Sequence, residues 1–297
     1  MLFRSLEITG ELENSIEYYK KFIDEDPYSE YAWFNLGNIY VKLDQFENAV
    51  EAFEYSIAID EEYSSAYINI SEALIKLEKF DQAKKYLDRS LSLDGPSPEI
   101  YSCLGNVNFY LEDYSTSISF YQKSIKIDQM FKESYFGLGR SLSKLDKWFE
   151  AIHFFKKAYK IDNKNIEYVK SLAYAEFKVG NLVSSIDLYS KAVEMQPDDY
   201  KLSLDFSLIY YESGDIDKAI DIIDQAIEES PGESLLYYRL VIYLMDAGRY
   251  KESINVLESA LSLNFDNHDV LFDFVPNFES QSALIRVINQ FKNSGNR

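Results

Sequence analysis

The sequence predicts an all-α fold built from stacked helix–turn–helix units of about 34 residues each. Three observations support this prediction: an uninterrupted repeat, a fixed pairing of small with large residues, and a recurring turn residue. The reference unit runs from Glu30 to Tyr63, and its twentieth position is Ala49. Steps of one unit length in both directions from Ala49 reach only Ala or Ser, at Ser15, Ala83, Ser117, Ala151, Ser185, Ala219 and Ser253.

Each unit places large side chains opposite small ones at helical spacing. The seventh and twenty-fourth positions are large in every unit, as in Leu36 and Phe53 of the reference unit. The eighth and twenty-seventh positions are small in most units, as in Gly37 and Ser56. This pairing lets two antiparallel helices approach closely without leaving voids. Each unit is therefore predicted to be a helix hairpin.

The hairpin turn is predicted near the fifteenth position of the unit. Gly10, Gly180, Gly214 and Gly248 stand there, and a glycine supplies the left-handed residue that ends a helix. The central units carry acidic residues instead, at Asp44, Glu78, Glu112 and Asp146. The sequence leaves open whether these four end the helix in the same way or through another local geometry.

The unit resembles the tetratricopeptide repeat in Trp33, Leu36, Gly37, Tyr40, Ala49 and Phe53, with a proline near the end of some units at Pro27, Pro197 and Pro231. The resemblance covers Gly10 to about Asn267. Some units depart from the pattern; Val241, for example, replaces the small residue at the eighth position. The resemblance implies a right-handed α-α superhelix whose first helices line a concave groove that binds a protein or peptide segment.

The register divides the chain into a partial repeat at 1–29, seven repeats, and a degenerate repeat with a capping helix at 268–297. The seven repeats are 30–63, 64–97, 98–131, 132–165, 166–199, 200–233 and 234–267. An unbroken register favours a single solenoid domain. The last helix is predicted from about Glu279 to Lys292, with an apolar stripe of Leu284, Val287, Ile288 and Phe291.

The chain begins inside a repeat, because Met1 falls at the sixth position of its unit. We expect residues 1–9 to form the second half of a first helix. Either this short helix covers the end of the stack, or the sequence is a fragment of a longer solenoid, which we favour. The alternative function follows from the second case: an interaction arm of a longer enzyme or secretion-related protein whose active part precedes Met1.

The composition disfavours several classes of partner. The formal net charge is −20, which repels phosphate backbones and anionic lipid headgroups, so neither nucleic acid nor a membrane is expected as a partner. The single cysteine, Cys103, excludes an intrachain disulfide. We see no apolar run long enough for a membrane span and no signal peptide, which predicts a cytoplasmic protein.

Catalytic and metal-binding patterns are not found, so we predict a non-enzymatic protein without a cofactor or metal. His153 and His268 are 115 positions apart and are interpreted as helix surface residues. Cys103 is interpreted as a small packing residue rather than a nucleophile. Carboxylate pairs such as Asp198 and Asp199 stand at helix ends, where they cap and solubilise.

The resemblance assigns a set of first-helix residues to the peptide groove. These are Phe34, Asn38, Lys42, Ile68, Lys76, Asn106, Phe109, Tyr110, Phe136, Arg140, Lys144, Lys170, Tyr174, Phe177, Lys178, Leu208, Tyr211 and Tyr238. Large apolar groups along a concave surface are common anchors of peptide recognition. The same asparagines and lysines are also what an average repeat of this family carries, so generic repeat sequence with a partner bound elsewhere is the alternative interpretation.

The charges of the groove predict the chemistry of its partner. The family's clamp for chaperone tails is not present, because Phe34 replaces its first lysine and Glu99 and Cys103 replace its basic pair. The five groove lysines instead favour an apolar segment flanked by acidic residues. Basic ligands would go to second helices carrying Glu47, Glu51 and Glu54. The exposed repeat ends are a candidate surface for a homo-oligomer.

Overall fold

The repeat register fixes where the helices begin. The computed structural model describes residues 12–274 and 282–293, and these residues form helices and no strand. This confirms the all-α prediction. The first helices begin at the first residues of the predicted repeats, at Glu30, Ser64, Pro98, Lys132, Ile166, Tyr200 and Ser234. None of the helices within the described residues is long and apolar enough to cross a membrane.

The chain divides into two compact units, which are described separately. Unit 1 is residues 1–162, and unit 2 is residues 163–297. The described helices of unit 1 are α1 (Leu12–Glu25), α2 (Glu30–Lys42), α3 (Phe46–Ile59), α4 (Ser64–Lys76), α5 (Phe80–Asp94), α6 (Pro98–Tyr110), α7 (Tyr114–Ile127), α8 (Lys132–Lys144) and α9 (Trp148–Ile161). Those of unit 2 are α10 (Ile166–Lys178), α11 (Leu182–Met195), α12 (Tyr200–Glu212), α13 (Ile216–Glu229), α14 (Ser234–Asp246), α15 (Tyr250–Leu263), α16 (Val270–Phe274) and α17 (Ser282–Asn293), with a short 3-10 helix at Phe265–Asp269.

The residue between the two helices of each pair is left-handed in all seven repeats. The φ angles are 55° at Asp44, 57° at Glu78, 61° at Glu112 and 56° at Asp146, and they lie between 74° and 88° at Gly180, Gly214 and Gly248. In the first repeat the next N–H, of Gln45, donates to the Tyr40 carbonyl at 2.9 Å, as in a Schellman cap. The acidic residues therefore end their helices with the same geometry as the glycines. Gly10 lies outside the described residues.

The core of each helix pair follows the predicted pairing of small with large residues. All eight small residues at the twentieth position are buried, with Ala49 and Ala151 at 0 % exposure. Aromatic rings at the twenty-fourth position fill the space left by glycines on the preceding helix. A Cβ atom added at Gly37 or Gly105 would come within 2.5 Å of the ring of Phe53 or Tyr121. The glycines are therefore required by close packing, since their φ angles are those of ordinary helix.

Buried serine hydroxyls at the twenty-seventh position of unit 1 are satisfied by the backbone at the start of the first helix. Ser56 donates to the Glu30 carbonyl at 2.9 Å, and Ser124 donates to the Pro98 carbonyl at 2.8 Å. These bonds tie the second helix to the beginning of the first. A buried hydroxyl that is hydrogen-bonded in this way avoids the cost of an unpaired polar group.

Enlarging the small residue at the twentieth position should destabilise either unit. Ala151 and Ala219 are both fully buried, so Ala151→Leu and Ala219→Leu each force added methylenes into a packed helix contact. We expect each to lower the free energy of unfolding by about 1–3 kcal/mol or more, measured by urea denaturation. Ala58→Leu, at an exposed position of α3, is the control. Melting and urea midpoints unchanged in both buried variants would show that the register is misplaced.

The last helix of the described chain has the apolar stripe that the sequence predicts. Helix α17 packs against α15, and Leu284 and Ile288 are buried, with Val287 and Phe291 packed beside them. The Phe291 ring stacks on Phe265 with centroids 6.1 Å apart. This helix therefore covers apolar surface of the preceding pair, as a capping helix does. Residues 1–9 and Pro276 lie outside the described residues, as does the predicted start of this helix at Glu279.

Candidate interaction surface

The first helices of unit 1 form one continuous surface. Helices α2, α4, α6 and α8 lie side by side, since α2 contacts α4, α4 contacts α6, and α6 contacts α8. Their residues that point away from the second helices are here called the first-helix face of unit 1. Most of the predicted groove residues of this unit lie on it, and they are at least partly accessible.

The α2 end of this face is aromatic. The Tyr63 ring makes T-shaped contacts with Tyr31 at 5.6 Å and with Phe34 at 4.9 Å between centroids. The Tyr31 side chain is 61 % exposed. Burial raises the pKa of the Tyr63 hydroxyl, and the neighbouring Tyr31, Glu30 and Asp60 raise it further. Phe34 is the predicted groove residue here, and Tyr31 is not among those predicted, although it occupies the second position of its repeat, which the resemblance also assigns to the groove.

Two side-chain contacts in the same register link successive first helices. The Asn69 amide nitrogen donates to the Asn38 amide oxygen at 2.7 Å, and the Cys103 thiol lies 3.5 Å from a Glu72 carboxylate oxygen, to which it donates. Each joins the sixth position of one repeat to the ninth position of the repeat before. Cys103 is buried, and burial raises the pKa of its thiol well above the ordinary value, with Glu72 raising it further. It is therefore a protonated packing residue, as the sequence predicts.

Glu72 adds an acidic group that is not among the predicted groove residues. Its side chain reaches solvent, yet enough protein surrounds it that desolvation raises the pKa of the carboxyl. The Cys103 hydrogen bond and the Lys76 ammonium oppose this shift, whereas the Glu133 carboxylate adds to it. Glu72 takes the same position in its repeat as Asn38 does in the repeat before, so the signal was present in the register. The face is consequently basic in some places and acidic in others.

The α6 and α8 end of the face holds an arginine among aromatic rings. The Arg140 guanidinium carbon lies 4.1 Å from the Phe109 ring centroid, 5.7 Å from that of Tyr110 and 5.8 Å from that of Phe136. Phe80 stacks on Tyr110 with centroids 5.7 Å apart and planes 5° from parallel. We call these five residues the Arg140 cluster. Such contacts hold a cation over the ring faces and fix its direction.

Two of the predicted groove residues are buried and do not offer a binding surface. Phe109 is 7 % exposed and lies beneath the Arg140 guanidinium. Tyr238, in unit 2, is 0 % exposed and donates its hydroxyl to the Asn264 carbonyl at 2.8 Å. Tyr238 is buried because it lies in α14, a helix that is apolar on nearly every side and has nine buried residues. Periodicity alone does not separate the accessible side of such a helix from its buried side.

Exposed lysines recur at the end of the first helices. Lys42, Lys76 and Lys144 stand in the last turns of α2, α4 and α8, where Tyr110 takes the equivalent place in α6. A lysine in the last turn also interacts favourably with the helix dipole, so its position has a structural reason besides any ligand. Together these residues nevertheless place positive charge along one edge of the face.

Unit 2 has its own first-helix residues, and their side chains pair largely with one another. The Lys178 ammonium lies 5.2 Å from the ring centroid of Tyr174, which is 40 % exposed, and Lys170 forms an ion pair with Glu167 at 3.8 Å. Tyr211 stacks on Tyr243 at 4.7 Å and donates to Asp246. Phe177 and Leu208 are half-buried.

Asp205 adds an acidic group between the first helices of unit 2. Burial raises the pKa of its carboxyl, while the positive charges of Lys170 and Arg239 lower it. Lys170 is among the predicted groove residues, whereas Asp205 and Arg239, which stand at the sixth positions of their repeats, are not. The lysine is thus partly compensated by carboxylates on its own unit.

Neither of the two histidines considered for catalysis lies on a first helix. His153 is exposed on α9, and His268 is half-buried, with its Nδ1 atom 2.7 Å from the Phe265 carbonyl oxygen. Asp199 caps α12 by accepting from the Lys201 N–H at 3.0 Å. Within residues 12–274 and 282–293, no three or more His, Cys, Asp or Glu side chains are grouped so as to hold a metal ion.

Family models place this chain among the tetratricopeptide-repeat proteins. Models described as tetratricopeptide repeat match residues 30–63, 64–96, 132–165, 176–241 and 235–267. Together these matches cover more than half of the chain, so the chain belongs to the tetratricopeptide-repeat family. Proteins of this family are scaffolds for interactions with other proteins. No curated protein sequence matches the chain.

Solved structures support the same fold. A chain of the APC/C hetero-tetramer Cut9-Hcn1 is similar with a TM-score of 0.69 and 20% identity, over 82% of this chain and 48% of that one. The present chain thus spans about half the length of that protein. TTC0263 from Thermus thermophilus gives a TM-score of 0.56 at 16% identity, over 62% of this chain and all of TTC0263. A MamA protein gives 0.51 at 23% identity, over 60% of this chain and 98% of MamA. The comparisons give no support to an arm attached to an enzyme or secretion-related protein.

Proposed function

We propose that this protein is a non-enzymatic scaffold that binds an extended segment of a partner protein along the first-helix face of unit 1. The main support is the combination, within the described residues, of exposed aromatic rings with unpaired hydrogen-bond donors on adjacent helices. Tyr31 and Tyr110 of this face are 61 % and 43 % exposed. Exposed aromatic side chains beside polar groups are the usual anchors of protein recognition.

The partner chemistry follows from the charges on the face. Lys76, Arg140 and Lys144 favour carboxylates near the α6 and α8 end, although the protein as a whole carries −20. A partner segment with apolar anchors and acidic flanks would be steered there, with salt affecting association more than dissociation. The second helices carry Glu47, Glu51 and Glu54, all exposed, and would attract a basic ligand instead.

Capture of partners with matched variants tests this proposal. The full chain, the double variant Tyr110→Ala with Phe136→Ala, and the control Phe149→Ala would be immobilised and compared by quantitative mass spectrometry. Phe149 is 79 % exposed on α9, away from the first helices, so its variant removes an equally large ring elsewhere. We expect the double variant to lose the partner and the control to retain it. Equal recovery by all three proteins would contradict the proposal.

The salt dependence of binding distinguishes the first-helix face from the second helices as the binding surface. Binding of the captured partner would be measured at about 50 and 500 mM salt, a range over which the screening length falls severalfold. An apolar segment with acidic flanks should lose association rate and keep most of its residence time. A strongly basic partner that dissociates at high salt would contradict the first-helix face and indicate the second helices.

A further inference from the structure

The Arg140 cluster offers hydrogen-bond donors without an acceptor to match. Arg140 forms no ion pair with any carboxylate among residues 12–274 and 282–293. It is half-buried and held in place by the rings of Phe109, Tyr110 and Phe136. A guanidinium fixed over rings keeps its N–H donors in one plane, which matches the two oxygens of a carboxylate.

Asn106 supplies a second donor next to this arginine. The Tyr121 hydroxyl donates to the Asn106 amide oxygen at 2.7 Å, which orients the amide. The amide nitrogen has no acceptor among the described residues. Asn106 stands three residues before Phe109 on α6, and the Arg140 guanidinium lies over the Phe109 ring at 4.1 Å from its centroid. Because residues three apart lie on the same side of a helix, the donors of Arg140 and Asn106 stand on one side of α6.

The apolar part of the cluster remains partly uncovered. Tyr110 is 43 % exposed although Phe80 stacks on one of its faces at 5.7 Å. An apolar side chain of a ligand could cover the rest of this ring, which would remove apolar surface of both groups from contact with water. Lys76 and Lys144 are exposed in the last turns of the helices on either side of α6. The surface thus continues past the cluster in both directions, which suits an internal segment better than a chain end.

We propose that the Arg140 cluster binds a side-chain carboxylate of a partner segment, with an apolar residue of the same segment lying on Tyr110 and Phe80. The carboxylate would accept from the Arg140 guanidinium and the Asn106 amide nitrogen. The Arg140 guanidinium carbon lies 5.7 Å from the Tyr110 ring centroid, and an extended chain advances roughly 3.3 Å per residue. The acidic and apolar residues are therefore separated by about two positions in the segment. This inference rests on the proposed function and names the chemistry that this part of the face recognises.

Selection of peptides on the full chain provides the probe. A phage-displayed library of random twelve-residue peptides would be selected on the wild-type protein alone, so that the selection does not presuppose a role for Arg140. Selected sequences would be synthesised with a fluorophore, with free and amidated carboxyl ends. We expect an Asp or Glu at a fixed distance from an aromatic or aliphatic residue, and binding that does not depend on amidation. A strict need for a free carboxyl end would overturn the internal-segment assignment.

A double-mutant cycle between protein and peptide measures the contact itself. Changing the acidic residue of the peptide to its amide should weaken binding to the wild type by about tenfold or more, as should Arg140→Gln, and the two changes together should cost no more than either alone. Arg140→Lys should be intermediate, because it keeps the charge and loses the planar fork. Circular dichroism of each variant would confirm the fold.

Lys157→Gln is the matched control. Lys157 lies 5.2 Å from the Tyr135 ring centroid and 5.8 Å from that of Phe154 on the second-helix side, so this variant loses the same charge and a similar cation–π contact. We expect it to bind the peptides like the wild type. Selected peptides that bind Arg140→Gln unchanged but fail on Tyr110→Ala with Phe136→Ala would overturn the carboxylate site and leave the proposed function standing. Peptides unaffected by either variant would contradict both.

Discussion

Tyr121→Ala is expected to lower the free energy of unfolding by about 3–5 kcal/mol, the range typical of a buried aromatic residue cut back to alanine. The Tyr121 ring is fully buried, and it fills the space between Gly105 on α6 and Gly137 on α8. Its loss leaves a cavity at the junction of two repeats and removes the hydrogen bond to Asn106. Because each repeat is stabilised by its neighbours, this defect weakens the third and fourth repeats together. Urea denaturation followed by circular dichroism measures it.

The Tyr121 ring also determines the sign of the stability change caused by Gly105→Ala, which should reverse when the ring is removed. In the wild type, Gly105→Ala places a Cβ atom within 2.5 Å of the Tyr121 ring, so we expect a loss of about 1–3 kcal/mol. Without the ring, the three nearest atoms that the added Cβ would meet are gone, and the substitution gains the helix propensity of alanine, worth about 1 kcal/mol. Gly105→Ala should therefore destabilise the wild type and stabilise the Tyr121→Leu variant, which retains enough apolar volume to fold.

Phe149→Ala controls for the removal of a ring as such. Phe149 is 79 % exposed on α9 of the same unit, so its variant should change stability by no more than about 0.5 kcal/mol. A similar loss in Phe149→Ala and Tyr121→Ala would show that the packing around Gly105 and Gly137 is not the cause. So would a destabilising effect of Gly105→Ala that is undiminished in the Tyr121→Leu background.

The helix pairs could be predicted from the sequence because each repeat packs a small and a large side chain together in the same way. Ala49 and Phe53 illustrate it: a small and a large side chain recur at these two positions of each repeat, and each repeat had to bury them in the same way. Periodicity also located the stripe of α17 through Leu284 and Ile288. It could not show which side of α14 is accessible, because that helix is apolar on nearly every side. Tyr238 was assigned to the groove from the groove positions that the resemblance implies, and it is buried.

The candidate surface was harder to predict because it depends on contacts between repeats. The register placed Arg140 correctly on the first-helix face, but its position over Phe109 depends on how α8 packs on α6. Similarly, the raised pKa of the Glu72 carboxyl arises from burial and from Glu133, two repeats away. Neither the contact of Arg140 with Phe109 nor the raised pKa of Glu72 can be deduced from the sequence of one repeat. The repeat positions assigned to the groove therefore showed its lysines but not Glu72, whereas the face carries charges of both signs.

Replacing the four acidic left-handed residues by glycine should stabilise the protein. A non-glycine L-residue in the left-handed region costs roughly 1–2 kcal/mol, because its Cβ atom approaches the following carbonyl oxygen. Glycine removes this cost, although it adds roughly 0.4–1 kcal/mol of unfolded-state entropy. Asp44, Glu78, Glu112 and Asp146 all have φ between 55° and 61°, and all four are exposed. The combined variant should therefore gain about 2–4 kcal/mol in the free energy of unfolding, since contributions of repeats add approximately.

The chemistry of the side chains predicts an order among the four changes. Aspartate tolerates the left-handed region better than glutamate, because its short side chain can hydrogen-bond to the local backbone. Glu78→Gly and Glu112→Gly should therefore stabilise more than Asp44→Gly and Asp146→Gly. The reverse substitution, Gly214→Ala, has no steric obstacle within 4 Å but keeps a φ of 88°, so it should cost about 1 kcal/mol. Single variants compared by urea midpoint would settle the order, and destabilisation by Glu78→Gly and Glu112→Gly would contradict strain at these turns.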